Sequence, residues 1–96
     1  MLESGFQSDL IRELEYLLPG AIVFKTDPRY IQGFPDLIIL YKDRWAALEV
    51  KASLRAKRQP NQDYYVRLLD SWSYAAFICP ENKRTIFYEL QRALQS

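Results

Sequence analysis

The chain has 96 residues, 49% hydrophobic and 26% charged, which is the composition of a folded protein and enough chain for one compact domain. Thirteen basic side chains against 12 acidic ones leave a net charge of +1, so bulk charge does not announce a nucleic-acid binder and any such surface must come from local clustering. With no histidine and Cys79 as the single cysteine, histidine general bases, Ser–His and Cys–His pairs, cysteine zinc sites and internal disulfides are excluded. No GxxxxGK[ST] or GxGxxG occurs, and no apolar run reaches transmembrane length. Glu3 lies early and no basic n-region precedes it, so no signal peptide and no membrane partner are expected, and a reducing, cytoplasmic location fits. Catalysis in such a chain falls to carboxylates and lysines.

Taken in order, residues 4–18 carry Phe6, Leu10, Leu14, Leu17 and Leu18 at helical spacing, with Ile11 adjoining, and predict an amphipathic helix. Ser4 and Gln7 match a capping box, Glu3 sits where an acid favours the helix dipole, and Pro19-Gly20 stops the helix. AIVFK at 21–25 predicts a strand, and 26–35, with Pro28, Gly33 and Pro35, a loop. Two strands follow at about 36–41 and 45–51, apolar on both faces except at their ends, as in central strands covered on two sides. Residues 52–60 predict a mobile basic connection. Pro60 suits the first turn of a helix running to about Trp72, with Gln59 as N-cap and an apolar stripe of Tyr65, Leu68, Leu69 and Trp72. Ala75 to Cys79 predicts a strand, 80–83 a turn, 84–88 a further short strand, and 89–94 a C-terminal helical turn or two.

The hairpin at 36–51 carries the chemistry. A two- or four-residue loop centred on Lys42-Asp43 opposes Tyr41 to Arg44, Leu40 to Trp45, Ile38 to Ala47 and Asp36 to Glu49. Lys-Asp lacks the glycine preferred in two-residue turns, which favours the four-residue loop. In this register Asp36 and Glu49 share a face with Cβ atoms roughly 5 Å apart, and Lys51, two residues beyond Glu49, shares it too. Opposed carboxylates repel unless something compensates. A hard divalent cation would, and a lysine beside it could orient a water or meet a phosphate, as phosphodiester hydrolysis requires. The plainer alternative is a pair of strand-end acids with Lys51 as salt-bridge partner.

Pro35-Asp36 followed by Glu49-Val50-Lys51 resembles the PD-(D/E)xK nuclease motif. With the α-β-β-β-α-β order and the Gly33-Phe34-Pro35-Asp36 lead-in, the chain is most similar to the VRR-NUC branch and the related Holliday junction resolvases. The resemblance spans most of residues 3–79. It implies an α/β, restriction-endonuclease-like core with a central mixed sheet flanked by helices, and a Mg²⁺-dependent DNA endonuclease, Mn²⁺ as substitute. It implies Asp36, Glu49 and the Val50 carbonyl as metal ligands, Lys51 as the catalytic lysine, and Glu3 completing the metal site or positioning a water. Glu13 and Glu15 are rivals for that last role, although a solvated helix face accounts for both. Gln62, opening the second helix, would help hold the water or phosphate, or is a surface amide at a helix start.

Lys51, Arg55, Lys57 and Arg58 form a local basic patch able to neutralise several phosphates, and Arg29 and Tyr30 precede Asp36 in the loop; a solvated basic loop and a core-capping Tyr30 are the alternatives. A small domain covers little DNA, so a homodimer presenting two sites to two strands is expected, with aromatics such as Tyr64, Trp72, Tyr74 or Phe87 at its contact. The resolvase likeness implies branched or junction DNA as substrate and makes a phage origin plausible, which would mean host cytoplasm. Two other functions stay open: a non-catalytic nucleic-acid-binding module of the same fold, and a nuclease subunit active only in a complex.

Overall fold

The structure, a computed structural model, describes residues 3–96, residue 3 by its backbone alone. The elements run α1 Glu3–Leu17, β1 Ile22–Lys25, β2 Leu37–Tyr41, β3 Arg44–Val50, α2 Pro60–Trp72, β4 Tyr74–Ile78 and α3 Lys83–Gln95. The four strands form one sheet in the order β1-β2-β3-β4. β1, β2 and β3 are antiparallel neighbours, and the crossover through α2 sets β4 parallel to β3. This is a restriction-endonuclease-like α/β fold with a mixed sheet between helices.

Side-chain alternation along the strands builds two cores. Leu37 and Ile39 of β2, Ala46, Leu48 and Val50 of β3 and Ile78 of β4 face one way, against Phe6, Leu10, Leu14 and Leu18 at the α1 end and Ile86, Leu90 and Leu94 of α3. Each fully buried Leu here contributes about 1.5–3 kcal/mol. The opposite face is narrower. Ala47 and Ala75 receive Val66 and Leu69 of α2, with Phe34, Ile38, Trp45 and Phe77 at the margins. Small residues on the sheet let α2 sit close.

Four details differ from the sequence reading. Residues 84–88 are not a strand but the first half of α3, because Ile86, Leu90 and Leu94 at four-residue spacing bury one stripe beside α1. The hairpin closes with two residues rather than four: Tyr41 pairs directly with Arg44, and Lys42 takes the left-handed φ of 57 that so tight a turn demands. The α2 stripe centres on Val66 and Leu69, whereas Trp72, at the far end of the helix and beyond its narrow alanine seat, is 66% exposed. At the N-terminus, α1 already includes Glu3, so Ser4 lies inside the first turn instead of capping it, and its carbonyl accepts the Ser8 hydroxyl at 3.2 Å. No described helix is long and apolar enough to cross a membrane.

Candidate active site

Asp36 precedes β2 by one residue. Its backbone carbonyl accepts the Thr26 N–H at 2.9 Å, and the Thr26 hydroxyl donates to the Pro35 carbonyl at 2.7 Å, so the end of β1 fixes the Pro-Asp step. One carboxylate oxygen, Oδ2, accepts the Val50 N–H at 2.8 Å. Asp36 is thereby held across the hairpin at the end of β3 by the backbone next to Glu49.

Glu49 lies on β3 with its side chain on the α2 side of the sheet, the face of Ala47. It is the one buried charged residue among those described, 3% exposed. A charge so placed must be compensated. Gln62 of α2 donates from Nε2 to Glu49 Oε2 at 2.9 Å, and Lys51 Nζ stands 3.9 Å from the same oxygen. Lys51 is nearly as buried. Its ammonium donates to Gln62 Oε1 at 2.8 Å and to the Lys57 carbonyl at 3.0 Å, while its backbone N–H joins the Ile78 carbonyl at 2.8 Å.

The Gln62 amide therefore bridges acid and ammonium, and its orientation is dictated by them. A flipped amide would set its oxygen against a carboxylate and its NH₂ against an ammonium. Gln62 Oε1 also accepts the Gln59 N–H at 2.9 Å, half of a capping box for α2. The cap of the helix and the anchor of the Glu49–Lys51 pair are one side chain.

The other residues singled out by the sequence are distributed as follows. The Glu3 side chain lies outside the described residues. Glu13 pairs with Lys83 at 2.9 Å, tying α1 to α3, and Glu15 is exposed. Arg29 clamps Asp27, with Nε to Oδ1 at 3.1 Å and Nη2 to Oδ2 at 2.8 Å. That hydrogen bond, with the Arg29 backbone N–H behind it, holds the Asp27 carboxyl below its ordinary value. Arg58 packs its guanidinium 3.9 Å from the centre of the Phe77 ring and 3.6 Å from Asp63. Arg55 and Lys57 are exposed. Tyr30 is 87% exposed and so does not cap the core. Two contributors went unnoticed in the sequence, Thr26 and the Lys57 carbonyl; a threonine directly after a β-strand is too common to signal the first, and a backbone carbonyl carries no sequence signal.

Asp36 and Glu49 offer carboxylate oxygens, which suit Mg²⁺ or Mn²⁺. Among the described residues no group of three or more His, Cys, Asp or Glu side chains joins them. The rest of a coordination shell would come from the Val50 carbonyl, water and a phosphate oxygen, consistent with a cation that keeps several waters.

Neither a protein-family model nor a curated protein matches the chain. Among solved structures it is similar to a VRR_NUC domain protein, with a TM-score of 0.68 and 15% identity over 99% of this chain and 89% of that chain. At that identity the likeness establishes the fold.

Proposed function

We propose that the domain is a metal-dependent nuclease that hydrolyses DNA phosphodiester bonds at Asp36, Glu49, Lys51 and Gln62. The observation that carries this is a buried carboxylate and a part-buried ammonium held by one amide, beside a second carboxylate, in a fold similar to that of a VRR_NUC domain protein. A purely structural ion pair would not need Asp36 tethered next to it. When bound, a divalent cation would lower the pKa of a water and offset the charge developing on phosphate. Asp36, Glu49 and the Val50 carbonyl would hold it. Lys51, fixed through Gln62 and the Lys57 carbonyl, keeps a positive charge ready for a non-bridging phosphate oxygen without reorganisation. Arg55 and Lys57, exposed on the loop that leaves Lys51, would bind flanking phosphates. Arg29 and Arg58 spend much of their charge on Asp27 and Asp63 and contribute less.

Endonucleolytic action on branched DNA and pairing of two copies are finer parts of the same reading. Ile22, Phe24 and Leu40 are 61%, 44% and 40% exposed on the part of the sheet that α2 leaves uncovered, and Ile22 pairs directly with Leu40. A second copy would cover this apolar strip. Tyr74, by contrast, is engaged with Glu89 at 2.6 Å, and Phe87 packs on the main core. Sedimentation of Leu40→Asp should show monomer where the parent shows dimer.

The deciding assay is cleavage of plasmid and four-way junction DNA with and without Mg²⁺. Lys51→Ala and Asp36→Asn should each lose at least about 10²-fold in rate, the usual cost of one group that stabilises developing charge. Undiminished cleavage by both variants rejects the site. DNA binding without cleavage in any metal would make the chain a binding module.

A further inference from the structure

The loop at 26–35 and the start of α2 enclose a cleft of about 440 Å³, lined by Gln32, Gly33, Gln59, Pro60, Asn61 and Gln62. That size falls within the ~300–1,000 Å³ of small-ligand sites. Its lining is chemically one-sided: four of the six residues are primary carboxamides and none is charged. A phosphate groove would be lined by Lys and Arg, and here the free cations Arg55 and Lys57 sit on the 51–59 loop instead. Carboxamides present a donor and an acceptor side by side, the pairing with which Asn and Gln read the edges of bases.

The cleft adjoins the candidate centre through a shared wall, since Gln62 lines it and also binds Glu49 and Lys51. Its two sides are braced. Gly33 lies so close to α2 that an added Cβ would overlap Asn61, and the Asn61 amide donates to the Gln32 carbonyl at 3.4 Å. Phe34 packs edge-on against Tyr65 with ring centres 5.5 Å apart. The same loop displays Tyr30 and Ile31, 87% and 43% exposed, and the Tyr30 N–H donates to the carbonyl of Asp27, the residue that Arg29 clamps, at 3.2 Å. An aromatic face offered to solvent on a braced loop is what single-strand binding surfaces use for stacking. The dipole of α2 does not define the ligand, because Gln62 Oε1 already accepts an N–H of the helix start and the lining is neutral.

We infer that this cleft is a nucleobase site: it accepts one unstacked base of the bound strand, read by Gln32, Gln59 and Asn61, with Tyr30 as the neighbouring stacking surface. The inference rests on the nuclease reading for its substrate and adds the feature selected, an unpaired nucleotide next to the phosphate that is cut. Continuous duplex has no such base to offer.

The test uses the full chain and end-labelled DNA in Ca²⁺, so that binding is read by fluorescence anisotropy without turnover. Three probes are compared: a continuous duplex, the same duplex with one unpaired adenine, and the same with an abasic residue at that position. The adenine probe should bind about five- to a hundredfold tighter than the other two, the range of one good base contact. Gln32→Ala and Asn61→Ala should each shrink that preference while duplex affinity stays within about twofold, and Tyr30→Ala should shrink it as well. Equal affinity for adenine and abasic probes, equal weakening of all three probes by variants that melt like the parent, or no binding at all overturns the inference. Cleavage of the same probes in Mg²⁺ separates the two readings: equal rates on all three leave the nuclease standing and remove the base site, whereas base-selective binding without cleavage does the reverse.

Discussion

Gly33→Ala probes the contact on which the placement of α2 depends. Two costs are separable. Gly33 has φ 86, a region where an L side chain loses about 1–2 kcal/mol. In addition a Cβ there would overlap Asn61 Cβ and stand 3.0 Å from the Asn61 carbonyl carbon and 3.2 Å from its Cα. Two of these three neighbours are helix backbone, so the relief must come from moving the loop off α2, an overpacking cost of about 1–3 kcal/mol. Gly20 supplies the control, since its φ of 91 is as strained but nothing lies within 4 Å of its virtual Cβ. Gly20→Ala should therefore lose only the first cost and Gly33→Ala both, a total of roughly 2–5 kcal/mol and, for a domain of this size, a Tm drop on the order of 10–20 °C or more. Urea unfolding followed by the fluorescence of Trp45 and Trp72 gives both values, provided the m-value is unchanged. Equal losses in the two variants would refute the claim that Gly33 is there for close approach to α2. Because Gln62 follows Asn61, Gly33→Ala should also depress cleavage, whereas Gly20→Ala, distant in the chain from the site, should not.

Lys42→Gly should stabilise by about 0.5–1 kcal/mol, since a lysine held at φ 57 in the two-residue turn carries a strain that glycine lacks, offset partly by the freer unfolded chain; urea midpoints read it. Gln62→Ala should destabilise by about 1–3 kcal/mol because it strips a hydrogen-bond partner from buried Glu49 and from Lys51 at once, and Gln62→Glu, which adds a negative charge beside Glu49, should be worse. Burial first, then the hydrogen bond and charge of Glu89, holds the Tyr74 phenol well above its ordinary pKa near 10. The folded chain thus keeps that proton when the unfolded chain loses it, and the stabilisation is complete below about pH 10 and drains as pH rises beyond it. Tyr74→Phe should be less stable than the parent by about 0.5–1.5 kcal/mol at pH 8, with the gap shrinking at pH 11 in the same urea series.

The hairpin was legible because one-residue slips in a strand invert every side chain, so a single turn assumption fixes which residues oppose one another, and the observed pairs from Leu37–Leu48 to Tyr41–Arg44 follow that register. The turn itself was misread because Lys-Asp is a poor two-residue turn locally, and strand pairing overrode it. Residues 84–88 misled for the opposite reason: Thr85, Ile86, Phe87 and Tyr88 favour a strand by propensity, but only the seat beside α1 decides that Ile86, Leu90 and Leu94 are what must be buried. At the site, spacing could bring Asp36 and Glu49 together but could not show that Asp36 would accept the Val50 N–H. That bond exists only because Asp36 lies one residue ahead of β2, where a side chain can take a donor at the hairpin's open end.

The position of the site follows from the chain path more than from any motif. β3 and β4 are parallel, so the crossover must return alongside the sheet, and the start of α2 necessarily lies at the end where β3 finishes. β2 runs the other way, which brings its beginning, and with it Asp36, to that same end, together with the loop that leaves β1. Glu49, Lys51, Gln62 and the Gly33 loop are thus gathered by topology at one edge, where strands leave the ladder and polar side chains can find partners. Gln62 makes this crowding tolerable, capping α2 and compensating the buried carboxylate with a single amide. A substitution in the 59–62 turn is therefore expected to change helix stability and the candidate site together. A variant that restored the cap from another residue, leaving Gln62→Ala without its link to Glu49 and Lys51, should recover only the capping share of the stability and none of the cleavage.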